Sequence, residues 1–338
     1  MTDREIWMDY KANGLKEANE HIHKLLCVND KIGFAFGSNW TSEDVLSNKL
    51  NVNQEAVIYK TKDGGINWES TTFGKGVFKT AYQIQDTIFA IKITYFGEQV
   101  NEVLNSQIYV SYDVGRTWEL LNELPYNINK VHFYTGHKGV FYAYNYKSNY
   151  NNYIFTTNNG GISWDSLELG HKNMSYWTCS QTGVFHFLTT EKIDGQGNDI
   201  LVRKDLTNGL EIKEVLPGFK ANIVENDNHE NLWFLGDKMG GVELWLRKEP
   251  FKYLKTKTFS SDRPLSGIYL YVYDNILVVI LSELYKGHVK YKLFRSEDSG
   301  MNWVEELLPI SYKVLPISFY KEDKIMMSIG GGRIQQRK

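Results

Sequence analysis

Acidic residues on predicted loops are the first candidates for chemistry in this sequence. Hydrolysis of a glycosidic bond needs two carboxyl groups, one on each side of the bond that breaks. The acidic residues that fall on predicted loops are Glu43, Asp44, Glu98, Asp194, Asp199 and Asp262. No spacing singles out two of them as a pair, and a carboxylate on a polar loop is usually a solvated surface charge. We therefore predict no catalytic residue.

A basic residue recurs along the chain, each time shortly before an apolar run that predicts a strand. We call these residues the basic collar: His23 (or Lys24), Lys75, Lys130, His171, Lys172, Lys220, Arg263 and Lys313. Cations that converge on a concave mouth favour an acidic peptide, a phosphorylated ligand or a carboxylated sugar. The alternative is that they are solvated strand ends, partly offset by nearby acidic residues, namely Glu20, Glu123, Glu168 and Asp262. The sequence leaves both interpretations open.

Aromatic residues on the longest predicted loops offer a second kind of contact. They are Trp40, Tyr95, Phe96 and Tyr146, with Tyr144 and Tyr150 nearby. Such rings stack on sugars or anchor a protein partner, and they equally often pack on their own sheet.

Metal and nucleotide sites have little support in the sequence. His21 and His23 are two residues apart on a predicted strand, with no partner motif of metal ligands. The segment Gly330–Arg333 is glycine-rich, but no helix follows it to bind an anion. We predict neither a metal nor a cofactor.

Four octapeptides repeat without gaps, each between two apolar runs, and we call them the repeat turns. They are Thr61–Trp68, Ser111–Trp118, Thr157–Trp164 and Ser296–Trp303. The third residue of each accepts hydrogen bonds from backbone amides, a glycine supplies a positive φ, and the tryptophan buries a large ring. The pattern predicts hairpin turns with a structural role. We assign that role to Asp63, Trp68, Asp113, Trp118, Asn159, Trp164, Asp298 and Trp303.

The repeat turns resemble the Asp-box, or BNR, repeat of a β-propeller superfamily that includes sialidases, sortilin-type receptors and the photosystem II stability/assembly factor. The resemblance covers the whole chain and, in size and repeat number, is closest to the seven-bladed assembly-factor type. It implies an all-β propeller of four-stranded antiparallel blades. A sialidase would place three arginines around the substrate carboxylate, whereas Arg263 is the only arginine on a predicted blade-to-blade loop.

The number of blades follows from counting hairpins. Successive tryptophans of the first three repeat turns are separated by roughly one blade of 40–50 residues. Two decayed copies lie at 201–215 and around 244–254, and a third opens the chain, which makes seven hairpins. We predict a seven-bladed propeller that forms one domain over residues 1–338. Its closing blade is shared between N-terminal strands within residues 1–20 and C-terminal strands within 313–334.

Composition restricts the remaining possibilities. The chain has 338 residues, of which 14% are aromatic. Its formal net charge is −2, so its overall charge does not favour binding to nucleic acid. Neither a signal peptide nor a membrane span is visible, which predicts a cytoplasmic protein, or a secreted or periplasmic one if a signal sequence has been removed. Cys27 and Cys179 fall in predicted strands and favour free thiols over a disulfide framework.

The function predicted from sequence is that of a non-enzymatic binding module, most simply a monomer. It docks a protein partner or an acidic ligand on the face that carries the long loops and the basic collar. The alternative is a carbohydrate-active protein, either a glycoside hydrolase or a lectin, that uses the same face.

Overall fold

The computed structural model describes most of the chain. The residues described are 7–11, 13–15, 22–39, 54–95, 103–144, 152–169, 174, 176–193, 196–227, 229–238, 241–285, 288–306, 317–320, 324–328 and 333–337. Every strand among them belongs to a four-stranded antiparallel sheet. None of these residues forms a helix long and apolar enough to span a membrane.

After β1 (Trp7–Lys11), three blades of four consecutive strands follow. Blade 1 is β2 (Lys24–Cys27), β3 (Gly33–Ser38), β4 (Glu55–Thr61) and β5 (Trp68–Lys75); blade 2 is β6 (Val77–Ile84), β7 (Thr87–Tyr95), β8 (Val103–Ser111) and β9 (Glu119–Leu124); blade 3 is β10 (Asn127–Phe133), β11 (Gly139–Tyr144), β12 (Asn152–Thr157) and β13 (Asp165–Glu168).

Three further blades of the same kind follow, and then three C-terminal strands. Blade 4 is β14 (Trp177–Cys179), β15 (Val184–Ile193), β16 (Gln196–Asp205) and β17 (Glu211–Val215); blade 5 is β18 (Lys220–Asn226), β19 (Leu232–Lys238), β20 (Gly241–Glu249) and β21 (Lys252–Ser260); blade 6 is β22 (Leu265–Tyr273), β23 (Ile276–Tyr285), β24 (His288–Ser296) and β25 (Val304–Glu306); the last strands are β26 (Ile317–Tyr320), β27 (Lys324–Ser328) and β28 (Arg333–Arg337).

The chain divides into two compact units. Unit 1 comprises Met1–Gly170 and Tyr312–Lys338, and it contains blades 1 to 3 together with the strands of the chain ends. Unit 2 comprises His171–Ser311 and contains blades 4 to 6. The two cysteines, one in each unit, are free thiols.

The structure corrects the predicted count of seven blades to six blades of consecutive strands. The sequence predicts a seventh hairpin within the first residues, and hence two N-terminal strands in the closing blade. The described part of that segment contains one strand, β1, and this strand pairs with β28. The resulting end sheet, in the order β1-β28-β27-β26, takes one strand from the N-terminus and three from the C-terminus. The prediction of seven equivalent hairpins is therefore wrong. The structure has six blades of consecutive strands and an end sheet.

The described residues that follow β1 pair with blade 1. The backbone of Asn13 accepts from the Trp68 amide at 2.8 Å and donates to the Ile66 carbonyl at 3.0 Å. Gly14 has φ +86°, and a Cβ there would lie 2.1 Å from the Trp68 carbonyl oxygen. The glycine therefore permits a close approach to the first repeat turn.

Phenylalanines join neighbouring blades of unit 1. Phe36 on β3 meets Phe78 on β6 edge to face, with ring centroids 6.1 Å apart. Phe89 on β7 stacks on Phe133 of β10 at 4.0 Å. All four side chains are fully buried. Burial of large rings between sheets provides much of the apolar stabilisation in this kind of packing.

Each repeat turn is held by the same buried hydrogen bond. The hydroxyl of the first residue accepts from the amide of the glycine four residues later. The bonds are Gly65 to Thr61, Gly115 to Ser111, Gly161 to Thr157 and Gly300 to Ser296, at 2.7–2.9 Å. All four glycines have positive φ, as the sequence predicts. The first residue thus satisfies an amide that the turn would otherwise leave buried and unpaired.

The third residue of each turn accepts from the exposed amides. Asp113 Oδ1 accepts from the amides of Arg116 at 3.0 Å and Thr117 at 2.8 Å, and the Thr117 hydroxyl donates to Oδ2. Asn159 accepts from the Ser163 amide at 3.0 Å, and its Nδ2 donates to the Ser163 hydroxyl. This geometry gives the third residue a structural task in the turn.

Blade 5 lacks a repeat turn and is held by the preceding blade. The Glu214 carboxylate on β17 accepts from Arg247 Nε at 2.9 Å, the Phe251 amide at 2.9 Å and the Tyr253 hydroxyl at 3.0 Å, and it also pairs with Arg247 Nη2. The Glu214 side chain is fully buried. Burial alone would raise the pKa of Glu214, but these hydrogen bonds outweigh it and lower the pKa below its usual value. A carboxylate from one blade thus closes the β20–β21 hairpin of the next.

We predict that Asp113→Asn reduces the acid sensitivity of the fold. Hydrogen bonds from the Thr117 amide and hydroxyl lower the pKa of Asp113 below its usual range. A folded-state pKa below the unfolded one stabilises the fold above the unfolded pKa, and this contribution is lost as the pH falls toward the folded value. Asparagine copies the Asn159 turn and does not titrate. The free energy of unfolding, measured with urea, should therefore fall less between about pH 7 and about pH 3 for the variant than for the wild type.

The matched control is Asn159→Asp, which places a carboxylate in the third turn. It should increase the difference in unfolding free energy between the two pH values. An equal pH difference in wild type and both variants would contradict this account of the turns.

We predict that Glu214→Ala lowers the free energy of unfolding by roughly 3–5 kcal/mol, because it leaves the Arg247 guanidinium buried without its carboxylate. Denaturant unfolding measures the loss. The double variant Glu214→Met with Arg247→Leu leaves no buried charge and should be more stable than Glu214→Ala alone. A cost below about 1 kcal/mol for Glu214→Ala would show that the cluster does not hold the hairpin.

Candidate functional site

The basic collar is predicted at one end of the blades, where each first strand begins and each second strand ends. We call this the collar end, and the opposite end, which carries the repeat turns, the hairpin end. The described collar residues are His23, Lys75, Lys130, Lys220 and Arg263. Three of the predicted collar residues, His171, Lys172 and Lys313, lie outside the described residues.

Four of the five described collar residues lie at or just before a first strand. His23 precedes β2, Lys75 ends β5 just before β6, Lys220 begins β18, and Arg263 lies in the connection to β22. Lys130 differs, because it lies within β10 at an irregularity between Ile128 and Val131. The predicted placement of the collar on successive first strands is thus observed for the described residues, with Lys130 deeper in its strand.

The loop aromatics are not part of the observed site. Trp40, Phe96 and Tyr146 lie outside the described residues, as does the side chain of Tyr95, the last residue of β7. Among the loop acids, Asp199 accepts from the Thr190 hydroxyl at 3.1 Å, and Asp262 is exposed. Glu43, Asp44, Glu98 and Asp194 also lie outside the described residues. Within the described part of the chain, no group of three or more His, Cys, Asp or Glu side chains could hold a metal ion.

In unit 2 a buried carboxylate offsets the collar cation Arg263. Glu283 on β23 accepts from Lys292 Nζ at 2.8 Å and from the Ser261 hydroxyl, and its other oxygen lies 3.4 Å from Arg263 Nη1. The hydrogen bonds from Lys292 and Ser261 lower the pKa of Glu283 to about 2. Glu283 is therefore ionised at neutral pH, and its one negative charge is shared between Arg263 and Lys292.

Two more carboxylates lie near the collar end of blade 5. The nearly buried Glu243 accepts from Lys238 at 3.1 Å and Lys255 at 3.3 Å. Asp237, which lies opposite Lys220 in the β18–β19 register, accepts from the Ser266 hydroxyl and the Gly267 amide. Sequence reasoning missed these three carboxylates near the collar end of unit 2.

Unit 1 also carries several basic residues at its collar end, with Glu55 opposite Lys75 in the β4–β5 register. The first strands of blades 1, 2 and 3 lie side by side. His23 Nε2 lies 3.5 Å from Lys79 Nζ on β6, and Lys75 is exposed. Lys130 is half-buried on β10. This arrangement suits recognition of an anion by several cations at once.

Two lysines of unit 1 were missed by sequence reasoning. Lys79 lies within β6, and Lys92 within β7 is 5% exposed and donates to the Phe73 carbonyl at 2.8 Å. Burial lowers the pKa of Lys92. The available signal was a lysine inside an otherwise apolar inner strand, which is rare unless the ammonium has a partner. Lys92 joins blade 2 to blade 1, whereas Lys79 adds to the candidate site.

No protein-family model and no curated protein matches this chain. Among solved structures it is similar to YCF48 bound to D1 peptide, with TM-score 0.66 and 14% identity over 99% of this chain and 96% of the other. It is similar to YCF48 from Cyanidioschyzon merolae, with TM-score 0.64 and 14% identity over 98% of each chain. It is also similar to an ulvan lyase, a polysaccharide lyase, with TM-score 0.52 and 12% identity over 93% and 90%. The fold is a β-propeller.

These similarities confirm the predicted all-β propeller class. At such low identity they show the fold and not the function, because propellers serve many unrelated functions. They do not support the predicted count of seven hairpins. In the structure β1 pairs with β28 in the end sheet.

Proposed function

We propose that this protein is a non-enzymatic binding module that docks an acidic segment of a protein partner at the collar end of unit 1. The observation that carries the proposal is a set of lysines on neighbouring first strands. Lys79, whose ammonium donates to His23 Nε2, lies on β6, exposed Lys75 precedes β6, and half-buried Lys130 lies on β10. Rigid strands fix the spacing of the charges, which lowers the entropy cost of binding.

The similarity to YCF48 bound to D1 peptide supports a protein ligand, because that structure shows a propeller of nearly the same length holding a peptide. A carbohydrate ligand is the second candidate, and the similarity to an ulvan lyase favours it. The described loop acids, Asp199 and Asp262, bring no cation or metal ligand with them that would suit catalysis.

We also propose that the repeat turns are of the Asp-box type. The support is their common geometry, in which the hydroxyl accepts from the glycine amide and the third residue accepts from the amide four positions after it. The tryptophan indole of the first and fourth turns donates to the glycine carbonyl at 2.8 and 2.9 Å.

We predict that Lys75→Glu combined with Lys130→Glu weakens partner binding by at least roughly tenfold, since loss of charge-assisted contacts of this kind is worth more than about 1.4 kcal/mol. The measurement is quantitative affinity capture from lysate of the source cells, with each variant as bait. Proteins retained by the wild type should be lost from the variant and eluted by polyglutamate.

The control is Lys31→Glu combined with Lys138→Glu, which makes the same charge change at exposed hairpin-end positions of unit 1. It should retain the captured proteins, and both variants should keep the wild-type melting temperature. Equal capture by both variants would refute the collar end as the docking site. Turnover of a glycoside or polysaccharide would refute the non-enzymatic assignment.

A further inference from the structure

A groove opens at the hairpin end of unit 1, between blade 1 and the repeat turn of blade 2. It encloses about 580 Å³, within the range of ligand-binding pockets. One wall is formed by side chains of β4 and β5, among them Lys60, Thr71 and Phe73. The other wall is formed by Arg116 and Trp118 of the second repeat turn. The groove therefore runs from the second repeat turn along β5 as far as Phe73.

A short side chain of blade 1 lines the groove. In the next joint, between blades 2 and 3, Leu121 lies against Gly161 of the third repeat turn, 3.2 Å from where a Cβ would be. Leu121 is the third residue after the tryptophan of its turn and lies at a register irregularity, whereas Thr71, the third residue after Trp68, pairs regularly with Ile58. In the joint between blades 1 and 2, Phe34 packs against Gly115 of the second repeat turn. The groove therefore lies above this packed ring, beside the short Thr71 side chain.

The charge on the rim of the groove favours an anion. Lys60 Nζ donates to the carbonyls of Val114 and Gly115, both at 3.1 Å. The same ammonium lies 5.3 Å from the centroid of the Phe34 ring, so its position on the groove wall is fixed. Lys62 pairs with Glu69 at 2.9 Å, but both side chains are largely exposed and the pair is weak. Together with exposed Arg116, the rim carries three cations and one carboxylate.

The floor of the groove favours an apolar side chain. Phe73 and Trp118 are half-buried and meet edge to face at 6.4 Å. Beneath them lie Phe34 and Ile58, which are almost fully buried. An oligosaccharide needs a series of polar partners along its length, and this floor offers none beyond Thr71. A ligand with an apolar group beside carboxylates fits the groove better.

We propose that this groove is a second docking site, which takes a short acidic peptide segment of a partner protein. An apolar side chain of the peptide packs on the exposed edges of Phe73 and Trp118, and its neighbouring carboxylates face Lys60 and Arg116. The site goes beyond the collar-end function and does not depend on it, because the two sites use different residues.

The test uses Thr71→Leu, which closes the groove with a larger side chain. The matched control is Thr72→Leu, which makes the same chemical change at an exposed position that does not line the groove. The probe is a resin-bound library of short random peptides with blocked termini. Wild type and Thr72→Leu should bind peptides in which Asp or Glu flanks an apolar residue, and Thr71→Leu should bind them at least roughly tenfold more weakly.

Lys75→Glu combined with Lys130→Glu should bind the same peptides as wild type, which separates this proposal from the collar-end function. The proposal is overturned if Thr71→Leu binds as well as wild type, or if wild type binds no peptide better than Thr71→Leu does. It is likewise overturned if the closing substitution abolishes binding of a uronate oligosaccharide, or self-association of the chain, and leaves peptide binding unchanged.

Discussion

The structure depends on one buried hydrogen bond that recurs in the repeat turns. In each turn the glycine amide is buried, and the hydroxyl of Ser or Thr four residues earlier is the group that accepts from it. An unpaired buried amide costs about 1–3 kcal/mol, so the hydroxyl, the glycine and the tryptophan belong together. The bond fixes where the tryptophan lies, and the tryptophan fixes how one blade meets the next.

Because the turns are so similar, differences between the joints carry the individual features of the molecule. Leu121 packs against Gly161 in one joint, whereas Phe34 packs against Gly115 in another, where Thr71 lines a groove. In blade 5 the turn sequence has decayed. There the turn amide of Phe251 donates to the buried carboxylate of Glu214, which belongs to the preceding blade and also accepts from Arg247. The repeat turns thus share one geometry, while single residues differ in the joints between the blades.

The local part of the fold could be predicted from the sequence, and the tertiary part could not. The octapeptides specify their own hydrogen bonds, so the roles of Asp113 and Asn159 follow from residue type and spacing. Gly14 was misread as a hairpin residue because a turn and a close approach to Trp68 leave the same glycine in the sequence. The cations of the collar could be placed near strand ends, but the carboxylates that offset them in unit 2 come from other strands. Glu283 lies twenty residues after Arg263, and only the β22–β23 pairing brings them together.

Native-state hydrogen exchange of the turn amides tests the central constraint most directly. The amides of Gly65, Gly115, Gly161 and Gly300 should exchange only through global unfolding, since their bonds are buried. The amides of Ile66 and Arg116, whose acceptors are exposed carboxylates, should exchange much faster. Glycine amides that exchange as fast as these neighbours would contradict the account, because the hydroxyl bond would then not hold the joints between blades.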